Sequence, residues 1–287
     1  MRATSVGCWV TLFKLRIAAL ITFTGVAAAI LAAPRWPAAG TLGLLALTLM
    51  LASASAGALN HVMDADIDAR MRRTRGRPLP SGQIGRGLVV KVALALMVVA
   101  LGAASVGMNR VVALHLFGGA FVYVVVYTAW LKRRSALNIV IGGLAGSFAA
   151  LAGGASVRPD LCLPPVLLAA IIFLWTPPHF WALAIVYKDE YRTAGIPMLP
   201  VVQGEKRTAQ WILAHTILLV AVSLSPMFLG ARGLIYAATA GCLGAYYLWR
   251  NIHLLREPSP AMARSAFKAS LVYLTVLLIV MLVDLRI

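Results

Sequence analysis

The sequence predicts an all-α polytopic membrane protein on three observations. Hydrophobic residues make up 61% of the 287-residue chain and charged residues only 12%, which is more apolar surface than one soluble domain of this length can bury. The mean hydropathy is +0.87. Apolar stretches of about 20 residues, the length that crosses the hydrocarbon core as a helix, recur along the chain. A water-soluble monomer and a disordered chain are both excluded.

Nine apolar segments are predicted to be membrane-spanning helices of a single domain, residues 1–287, because each has about the length that a span needs. They lie near residues 15–33, 41–63, 87–107, 111–131, 137–156, 163–186, 209–230, 233–250 and 267–285. The first is interpreted as a retained span and not as a cleaved signal peptide, because further spans follow it. Tight hairpin turns are predicted at Asn109-Arg110 and at Arg232.

Basic residues determine the predicted orientation. Lys and Arg number 26 against nine Asp and Glu, so that the net charge is +17. If the N-terminus is cytoplasmic, 21 of the 26 lie on the cytoplasmic side, as the positive-inside rule requires. The five on the outside are Arg35, Arg110, Arg158, Arg232 and Arg286. The lipid bilayer therefore accounts for the basic charge, and no nucleic-acid partner is expected.

The second span leads into a row of polar side chains. Asn60, Asp64 and Asp68 recur every four residues, so that a helix would place them on one face. Oxygen ligands of this kind suit Mg²⁺, which typically takes a few carboxylates together with phosphate oxygens. These three residues are therefore candidate metal ligands, whereas Asp66 points away from the row.

A cluster of arginines follows this row directly. Its members are Arg70, Arg72, Arg73, Arg75 and Arg77. Pro78 and Pro80 then force the chain out of any helix. Guanidinium groups beside metal-binding carboxylates are suited to holding a diphosphate. The alternative is a solvated juxtamembrane segment in which Asp68 pairs with Arg72 one helical turn away.

The turn before the fifth span is basic, with Lys132, Arg133 and Arg134 on the same side of the membrane as the arginine cluster. The span that follows contains Gly142, Gly143 and Gly146. Such glycines allow the close approach of a flat ligand, although small residues at this spacing usually serve helix packing alone.

The sixth span contains two prolines and ends in a second charged group. Pro177 and Pro178 are expected to kink or unwind the helix, which is tolerated where the freed backbone lines a cavity. Lys188, Asp189 and Glu190 follow the span on the side of the first cluster. Ordinary topology charge is the alternative interpretation of this group.

His179 lies within the same apolar span, near Trp175 and Trp181. The aromatic rings would suit a flat ring substrate, and a histidine at this depth would suit a ligand contact. The alternative is that all three are packing residues, since a lone histidine in a span is more often a hydrogen-bonded core residue.

These motifs resemble those of the UbiA-type intramembrane prenyltransferases, and most closely those of the branch that acts on haem. The resemblance covers nearly the whole chain. It is carried by Asn60, Asp64 and Asp68 running into Arg73-Thr and Arg77-Pro-Leu, by Asn138-Ile-Val-Ile-Gly-Gly, by Trp175-Thr-Pro-Pro-His-Phe-Trp181, and by Tyr191 through Gly195-Ile-Pro. The general family has a second DxxxD motif, but Tyr187 and Tyr191 occupy its outer positions here, so that Asp189 and Glu190 are substitutes by proximity.

The resemblance implies a nine-helix bundle with a central lateral cavity and a Mg²⁺-dependent transfer of farnesyl from farnesyl diphosphate to a vinyl group of haem B. The implied catalytic residues are Asp64, Asp68, Arg73 and Arg77. The implied diphosphate contacts are Asn60, Arg73, Arg77, Lys132 and Lys188. The implied metal ligands are Asn60, Asp64, Asp68, Asp189 and Glu190. The implied haem contacts are His179, Trp175 and Trp181. A bacterial inner-membrane location is implied, with downstream haem A synthase or oxidase assembly proteins as partners.

Two other functions are compatible with parts of the sequence. A quinone-pathway aromatic prenyltransferase would share the first motif, but it predicts a complete second DxxxD. A membrane transporter could use the acidic row to bind a coupling ion. The arginines beside the aspartates favour a phosphorylated substrate over a simple ion.

The orientation can be tested by labelling. We expect a cysteine introduced by Gly82→Cys, in a chain whose natural cysteines are replaced, to react with a membrane-impermeant reagent only after the cytoplasmic side is opened, because the 21-to-5 charge distribution holds this loop inside. A cysteine introduced by Arg110→Cys, on the opposite side, is the matched control. Labelling at position 82 in intact cells would contradict the orientation.

Overall fold

The computed structural model describes residues 6–228 and 233–284, and this part of the chain consists of helices and turns without strands. Thirteen α-helices follow one another in the order α1 (Val6–Leu12), α2 (Leu15–Ala32), α3 (Ala39–Met63), α4 (Ala65–Arg70), α5 (Arg86–Gly107), α6 (Arg110–Phe121), α7 (Asn138–Gly142), α8 (Leu144–Val157), α9 (Leu163–Val186), α10 (Lys188–Thr193), α11 (Leu199–Phe228), α12 (Leu234–Arg256) and α13 (Pro260–Val283). A π-helix, Val122–Trp130, and a 3₁₀ turn, Leu131–Arg133, continue α6.

The predicted all-α membrane class is confirmed. Among the described residues, eight helical segments are long and apolar enough to cross a membrane, and they coincide with eight of the nine predicted spans. The remaining predicted span, near residues 233–250, corresponds to α12, a helix of 23 residues. It is more polar than the others because it contains Tyr246, Tyr247, Arg250 and Asn251. Nine spans therefore remain a prediction. The predicted turn at Arg232 and residue Arg286 lie outside the described residues.

Two helices, α11 and α9, differ from the expectation. Helix α11 begins at Leu199, ten residues before the predicted span, and Gly204 interrupts it with a φ of +78° that glycine adopts readily. Helix α9 runs without a break from Leu163 to Val186, so that of the two expected effects of Pro177 and Pro178, a kink or an unwound segment, the unwound segment does not occur. The Thr176 hydroxyl donates to the Ile172 carbonyl at 2.8 Å, one turn before the prolines.

The bundle has two groups of helices that meet along α2, α8 and α9. One hydrophobic cluster joins α2, α3, α5, α6 and α8. Another joins α2 and α8 to α9, α11, α12 and α13. Because lipid solvates apolar side chains as well as a neighbouring helix does, association in the membrane depends on close packing, and small residues at the contacts allow it.

The contact between α2 and α8 is the closest of these. A Cβ on Gly153 would overlap the carbonyl oxygen of Gly25, and it would also lie 2.9 Å from the Cβ of Ala28. A Cβ on Gly154 would press against the ring of Pro165 in α9. Gly153 therefore lets the backbone of α8 touch that of α2, and Gly154 makes room for the Pro165 ring, where the two groups of helices join.

We expect Gly153→Ala to lower the melting temperature of the protein in detergent, because the added methyl group meets a backbone atom that cannot rotate away. Overpacking of this kind costs about 1–3 kcal/mol. Gly102→Ala is the matched control, since a Cβ there meets nothing within 4 Å and alanine has the higher helix propensity. Equal melting temperatures for both variants would contradict the close contact.

Candidate active site

The three polar residues at the end of α3 lie together in the protein interior. Asn60, Asp64 and Asp68 are 3%, 2% and 4% exposed. Although α3 ends before Asp64 and α4 begins after it, the Asp64 N–H donates to the Asn60 carbonyl at 2.9 Å and the Asp68 N–H to the Asp64 carbonyl at 2.8 Å. The helical spacing therefore continues through the bend, and the side chains stay in one row.

Cations from two other parts of the chain pair with the carboxylates of this row. Lys132 Nζ lies 2.5 Å from Asp64 Oδ2. One nitrogen of Arg77 donates to both oxygens of Asp68, at 2.9 and 2.8 Å. Asp68 thus pairs with Arg77 and not with Arg72, the partner that a solvated helical segment would give it. A buried carboxylate without a partner is costly, so these cations are needed to keep both charges inside.

The Asp68 carboxyl has a pKa below its ordinary value. Burial acts to raise this pKa, but the nearby His61 ring and the charge and hydrogen bonds of Arg77 outweigh it. His61 Nδ1 lies 3.7 Å from Asp68 Oδ2 and is buried. His61 therefore belongs to the cluster, although nothing in its sequence context marked it more than the other histidines.

Lys14 completes the row from the start of α2. Its Nζ donates to Asn60 Oδ1 at 2.5 Å and to the Tyr123 hydroxyl at 3.0 Å. Burial lowers the pKa of Lys14 to about 8. Its backbone is left-handed, with a φ of +50°, an uncommon conformation for a residue with a side chain. Lys14 is not among the site residues predicted from the sequence; its position directly before the first span is a signal that could have found it.

The π-helix supplies a further contact to Asn60. The Thr128 hydroxyl donates to the carbonyl of Tyr123, five residues earlier, at 2.8 Å, and it accepts the Asn60 amide N–H at 2.9 Å. The same amide donates to Asp64 Oδ2 at 2.8 Å. Asn60 is thereby held with its nitrogen toward Thr128 and its oxygen toward Lys14. Single-turn π segments are frequent at functional sites, but a lone threonine in an apolar span gave no sign of this contact.

Gly142 makes room for an aromatic ring beside the cluster. A Cβ at this position would lie 2.7 Å from Cδ2 of Tyr127. The Tyr127 ring stacks on Tyr123 with centroids 5.7 Å apart, and Lys132 Nζ lies 5.9 Å from the Tyr127 centroid. Asn138 is fully buried, and its amide donates to the Ser135 carbonyl at 2.6 Å. In this structure, Gly142 therefore serves side-chain packing next to Lys132.

Asp66 lies apart from the row, as expected. Arg133 donates to its two oxygens at 2.8 and 2.7 Å, and also to the Met63 carbonyl at 2.7 Å. The hydrogen bond from Arg133 lowers the pKa of Asp66 to about 2. Both side chains are partly exposed. The Arg133–Asp66 ion pair therefore connects the turn after the fourth span to the start of α4.

Of the second charged group, Lys188, Asp189 and Glu190, only Glu190 is seen to contact the arginine cluster among the described residues. Glu190 Oε2 accepts the backbone N–H of Arg73 at 3.2 Å, and the Arg73 guanidinium lies 4.9 Å from the Tyr187 ring centroid. Lys188 pairs instead with Glu205 at 3.2 Å. Asp189 has a side chain 89% exposed and pairs with Arg192. The structure therefore does not bring Lys188 and Asp189 to the row of Asn60, Asp64 and Asp68.

The carboxylates of the row have the chemistry that a hard cation requires. Asp64 Oδ1 is buried and has no hydrogen-bond partner in the part of the chain that the structure describes. Within residues 6–228 and 233–284, no three acidic, histidine or cysteine side chains converge as a preformed metal site. Mg²⁺ does not need such a site, because it is often bound by one or two carboxylates together with substrate phosphates and water. Asp64 and Asp68 fit that mode of binding.

An open cleft of about 330 Å³ adjoins the row, between α1 and the arginine cluster. It is lined by Gly7, Cys8, Thr11, Arg73, Gly76, Arg77, Pro78 and Gln83. Arg77 thus lines the cleft while it contacts the Asp68 carboxylate. An anion that entered the cleft would meet two guanidinium groups beside the acidic row.

His179 is enclosed by aromatic rings in α9 and α13. Its ring stacks on Trp175 at 4.1 Å and on Phe267 at 4.5 Å between centroids. Its Nδ1 lies 2.7 Å from the Ser270 hydroxyl oxygen, and the residue is 8% exposed. Nδ1 is therefore hydrogen-bonded, whereas Nε2 makes no hydrogen bond within the described residues.

Trp181 lies elsewhere and does not share this environment. It is 1% exposed, belongs to the hydrophobic core, and contacts the ring of His215 at right angles, 5.0 Å between centroids. The structure therefore keeps Trp175 and His179 together but places Trp181 in the core. Trp181 follows His179 by two positions, which turns them about 200° apart around a helix.

Comparison with known proteins gives one consistent result. Residues 19–277 match the model of the UbiA prenyltransferase family. The chain is 48% identical to "Protoheme IX farnesyltransferase 1" of Paramagnetospirillum magneticum over 96% of this chain and 97% of that protein. It is 40% identical to "Protoheme IX farnesyltransferase" of Granulibacter bethesdensis, over 96% and 90%. A solved UbiA homolog from Archaeoglobus fulgidus bound to DMAPP and Mg²⁺ superposes with a TM-score of 0.70 at 17% identity, covering 96% of this chain and 98% of that one.

Proposed function

The chain belongs to the UbiA prenyltransferase family, and on that premise we propose that it transfers the farnesyl group of farnesyl diphosphate to a vinyl group of haem B, with addition of a hydroxyl. It is a polytopic integral membrane protein and a prenyltransferase. The observation that carries the proposal is the pairing of a buried carboxylate row with Lys132 and Arg77 beside an arginine-lined cleft. The incomplete second DxxxD, with Tyr187 and Tyr191, disfavours the quinone pathway.

The diphosphate binds between the acidic row and the arginine cluster. Arg73 and Arg77 line the cleft, and a guanidinium can hold phosphate oxygens through two parallel hydrogen bonds. Lys132, in the 3₁₀ turn after the fourth span, contacts Asp64 of the same row. When the diphosphate enters, these cations exchange part of their contact with the carboxylates for contact with phosphate oxygens. Lys14, which contacts Asn60, joins them as a fourth cation.

The carboxylates hold Mg²⁺ against the diphosphate. Asp64, through its unpartnered Oδ1, and Asp68 are the proposed ligands, and Asn60 orients Asp64 through its amide. Bound Mg²⁺ would neutralise negative charge on the diphosphate and so make it a better leaving group. Glu190 accepts the backbone N–H of Arg73. In this proposal it positions that arginine for the diphosphate.

The transfer begins when the bond between farnesyl C1 and the diphosphate oxygen breaks and the electron pair leaves with the diphosphate. Arg73, Arg77 and Lys132 stabilise the charge that develops on the leaving group. The π electrons of the haem vinyl group then form a bond to the allylic carbon. Water adds to the resulting haem carbocation and loses a proton, which leaves the hydroxyl. The apolar walls of the bundle keep water from the allylic cation until the new bond has formed.

The haem lies deeper in the bundle than the diphosphate. His179 precedes Tyr187 by eight residues, about 12 Å along α9. A farnesyl chain anchored at the acidic row extends into the bundle toward this depth, where Trp175 and His179 provide an aromatic surface. Trp181, which packs in the core, supports α9 from its other side.

The site end of the bundle faces the cytoplasm in the bacterial inner membrane, with the C-terminus on the periplasmic side. This orientation follows from the distribution of basic residues. The soluble substrate groups, diphosphate and Mg²⁺, would then reach the arginine cluster from the cytoplasm. The farnesylated haem would pass within the membrane to a haem A synthase or to oxidase assembly proteins.

The activity is tested with purified protein, Mg²⁺, haem B and prenyl diphosphates of several lengths, with the product haem identified by mass spectrometry. We expect the mass of the hydroxyfarnesyl adduct from the parent protein and loss of turnover in Asp64→Asn and Asp68→Asn, because an amide is a poor substitute for a carboxylate at a hard cation. Asp66→Asn is the matched control and should keep most activity, since Asp66 pairs outside the row. Melting temperatures show that each variant is folded. Equal losses in all three variants would contradict the proposed metal site.

His179 is tested by separating haem binding from diphosphate binding. We expect His179→Ala to raise the KM for haem or lower kcat and to change the absorption spectrum of bound haem, while the KM for farnesyl diphosphate stays near the parent value. A packing residue would behave differently, because loss of its hydrogen bond with Ser270 would lower stability without changing the spectrum. Unchanged kinetics and spectrum with a lower melting temperature would remove His179 from the site.

A further inference from the structure

A hydrogen-bond chain joins His179 to the backbone of α13. The Ser270 hydroxyl donates to the carbonyl oxygen of Phe267 at 2.6 Å, and its oxygen lies 2.7 Å from His179 Nδ1. The carbonyl of Ser270 in turn accepts the Trp175 indole N–H at 2.8 Å. Ser270 is fully buried, so that water cannot take the place of any of these partners.

This chain favours one protonation state of His179. A serine hydroxyl has a single proton, and the Phe267 carbonyl can only accept. When the Ser270 proton points to the Phe267 carbonyl, the shorter of its two contacts, the contact with His179 is a hydrogen bond only if Nδ1 donates to the Ser270 oxygen. In a neutral imidazole the other nitrogen then has a free lone pair. This arrangement corresponds to the Nδ1–H tautomer.

Aromatic rings cover both faces of the imidazole and part of its edge. The rings of Trp175 and Phe267 lie within 20° and 28° of the plane of His179. Two rings at 4.1 and 4.5 Å are too close to lie side by side on one face, so that they cover opposite faces, while the Phe180 ring stands at right angles with its centroid 5.2 Å away. Among the described residues Nε2 has no hydrogen-bond partner, and it is not among the fully buried polar atoms. A metal approaches an imidazole nitrogen in the plane of the ring, so that Nε2 is the atom that it would meet.

We propose that Ser270 is a positioning residue that holds His179 in the Nδ1–H tautomer and so presents Nε2 to the iron of the haem substrate. This inference rests on the proposed function. In metal sites generally, a ligating histidine donates its other ring N–H to an acceptor that sets the ring orientation, and loss of that acceptor costs about 10–100-fold in affinity or activity. Ser270 is such an acceptor, and α13 contributes to the site through it.

The tautomer is measured first, in the protein without haem. In protein labelled with ¹⁵N-histidine, the His179 signals are identified by their loss in His179→Gln. We expect a protonated Nδ1 and an unprotonated Nε2 in the parent and in Ser270→Thr, which keeps the hydroxyl. In Ser270→Ala we expect a mixture of tautomers, because Nδ1 has lost its acceptor. A parent protein with its proton on Nε2 would overturn the assignment.

Haem binding is measured next with the same variants. We expect Ser270→Ala to raise the KM for haem about tenfold or more and to change the bound-haem spectrum, with the KM for farnesyl diphosphate within about twofold of the parent. Ser270→Thr should restore both properties. Ser147→Ala is the control for loss of a buried hydroxyl. Ser147 lies in α8 and donates to the carbonyl of Ala169 in α9, the helix of His179, at 2.8 Å. This variant should leave both KM values unchanged.

The outcomes separate this inference from the function on which it rests. A parent protein that makes no farnesylated haem would refute the proposed function, whereas the tautomer without haem does not depend on that result. An active parent whose Ser270→Ala variant keeps the parent tautomer, haem KM and haem spectrum would overturn the positioning role of Ser270. A change in melting temperature alone, with no change in these three readouts, would also overturn it.

Discussion

Two carboxylates buried at the junction of α3 and α4 are the constraint on which the site depends. Asp64 and Asp68 are almost inaccessible, and removing such charges from water is affordable only with cations and hydrogen bonds in place. The chain supplies those partners from the turn after the fourth span, from the arginine cluster and, through Asn60, from the start of α2. Each of these segments must therefore reach the same point. The charge balance of the row thus organises the whole end of the bundle.

The same arrangement explains how a strongly charged site exists in a membrane protein. The carboxylates hold the cations in place, so that under the proposed function a diphosphate would meet cations that are already positioned. Arg77 illustrates this, because it contacts Asp68 and lines the cleft at once. Gly153 and Gly25 let α2 pack closely against α8 in the same bundle.

Sequence patterns identified much of the fold and part of the site because they are local. Hydropathy found eight spans that the structure confirms, since the length and composition of a span are properties of a continuous segment. The spacing of Asn60, Asp64 and Asp68 predicted a common face, since helical geometry relates residues four apart. Lys188 and Asp189 were grouped with that row by their charge and their side of the membrane. The structure turns both toward other partners, which sequence proximity to Glu190 could not reveal.

The sequence by itself therefore determined the class of protein, the positions of the spans and the presence of an acidic row followed by arginines. Only the tertiary structure decided which cation pairs with which carboxylate, that Lys14 and Thr128 hold Asn60, that Trp181 packs in the core away from His179, and that Ser270 of α13 meets His179 of α9. Apart from the Arg77–Asp68 pair, which is nine positions apart, the contacts made by Lys132, Lys14, Thr128 and Ser270 join residues that are 46 to 91 positions apart. Their hydrogen bonds depend on how helices cross and on the rotation of each about its axis, which no local periodicity records.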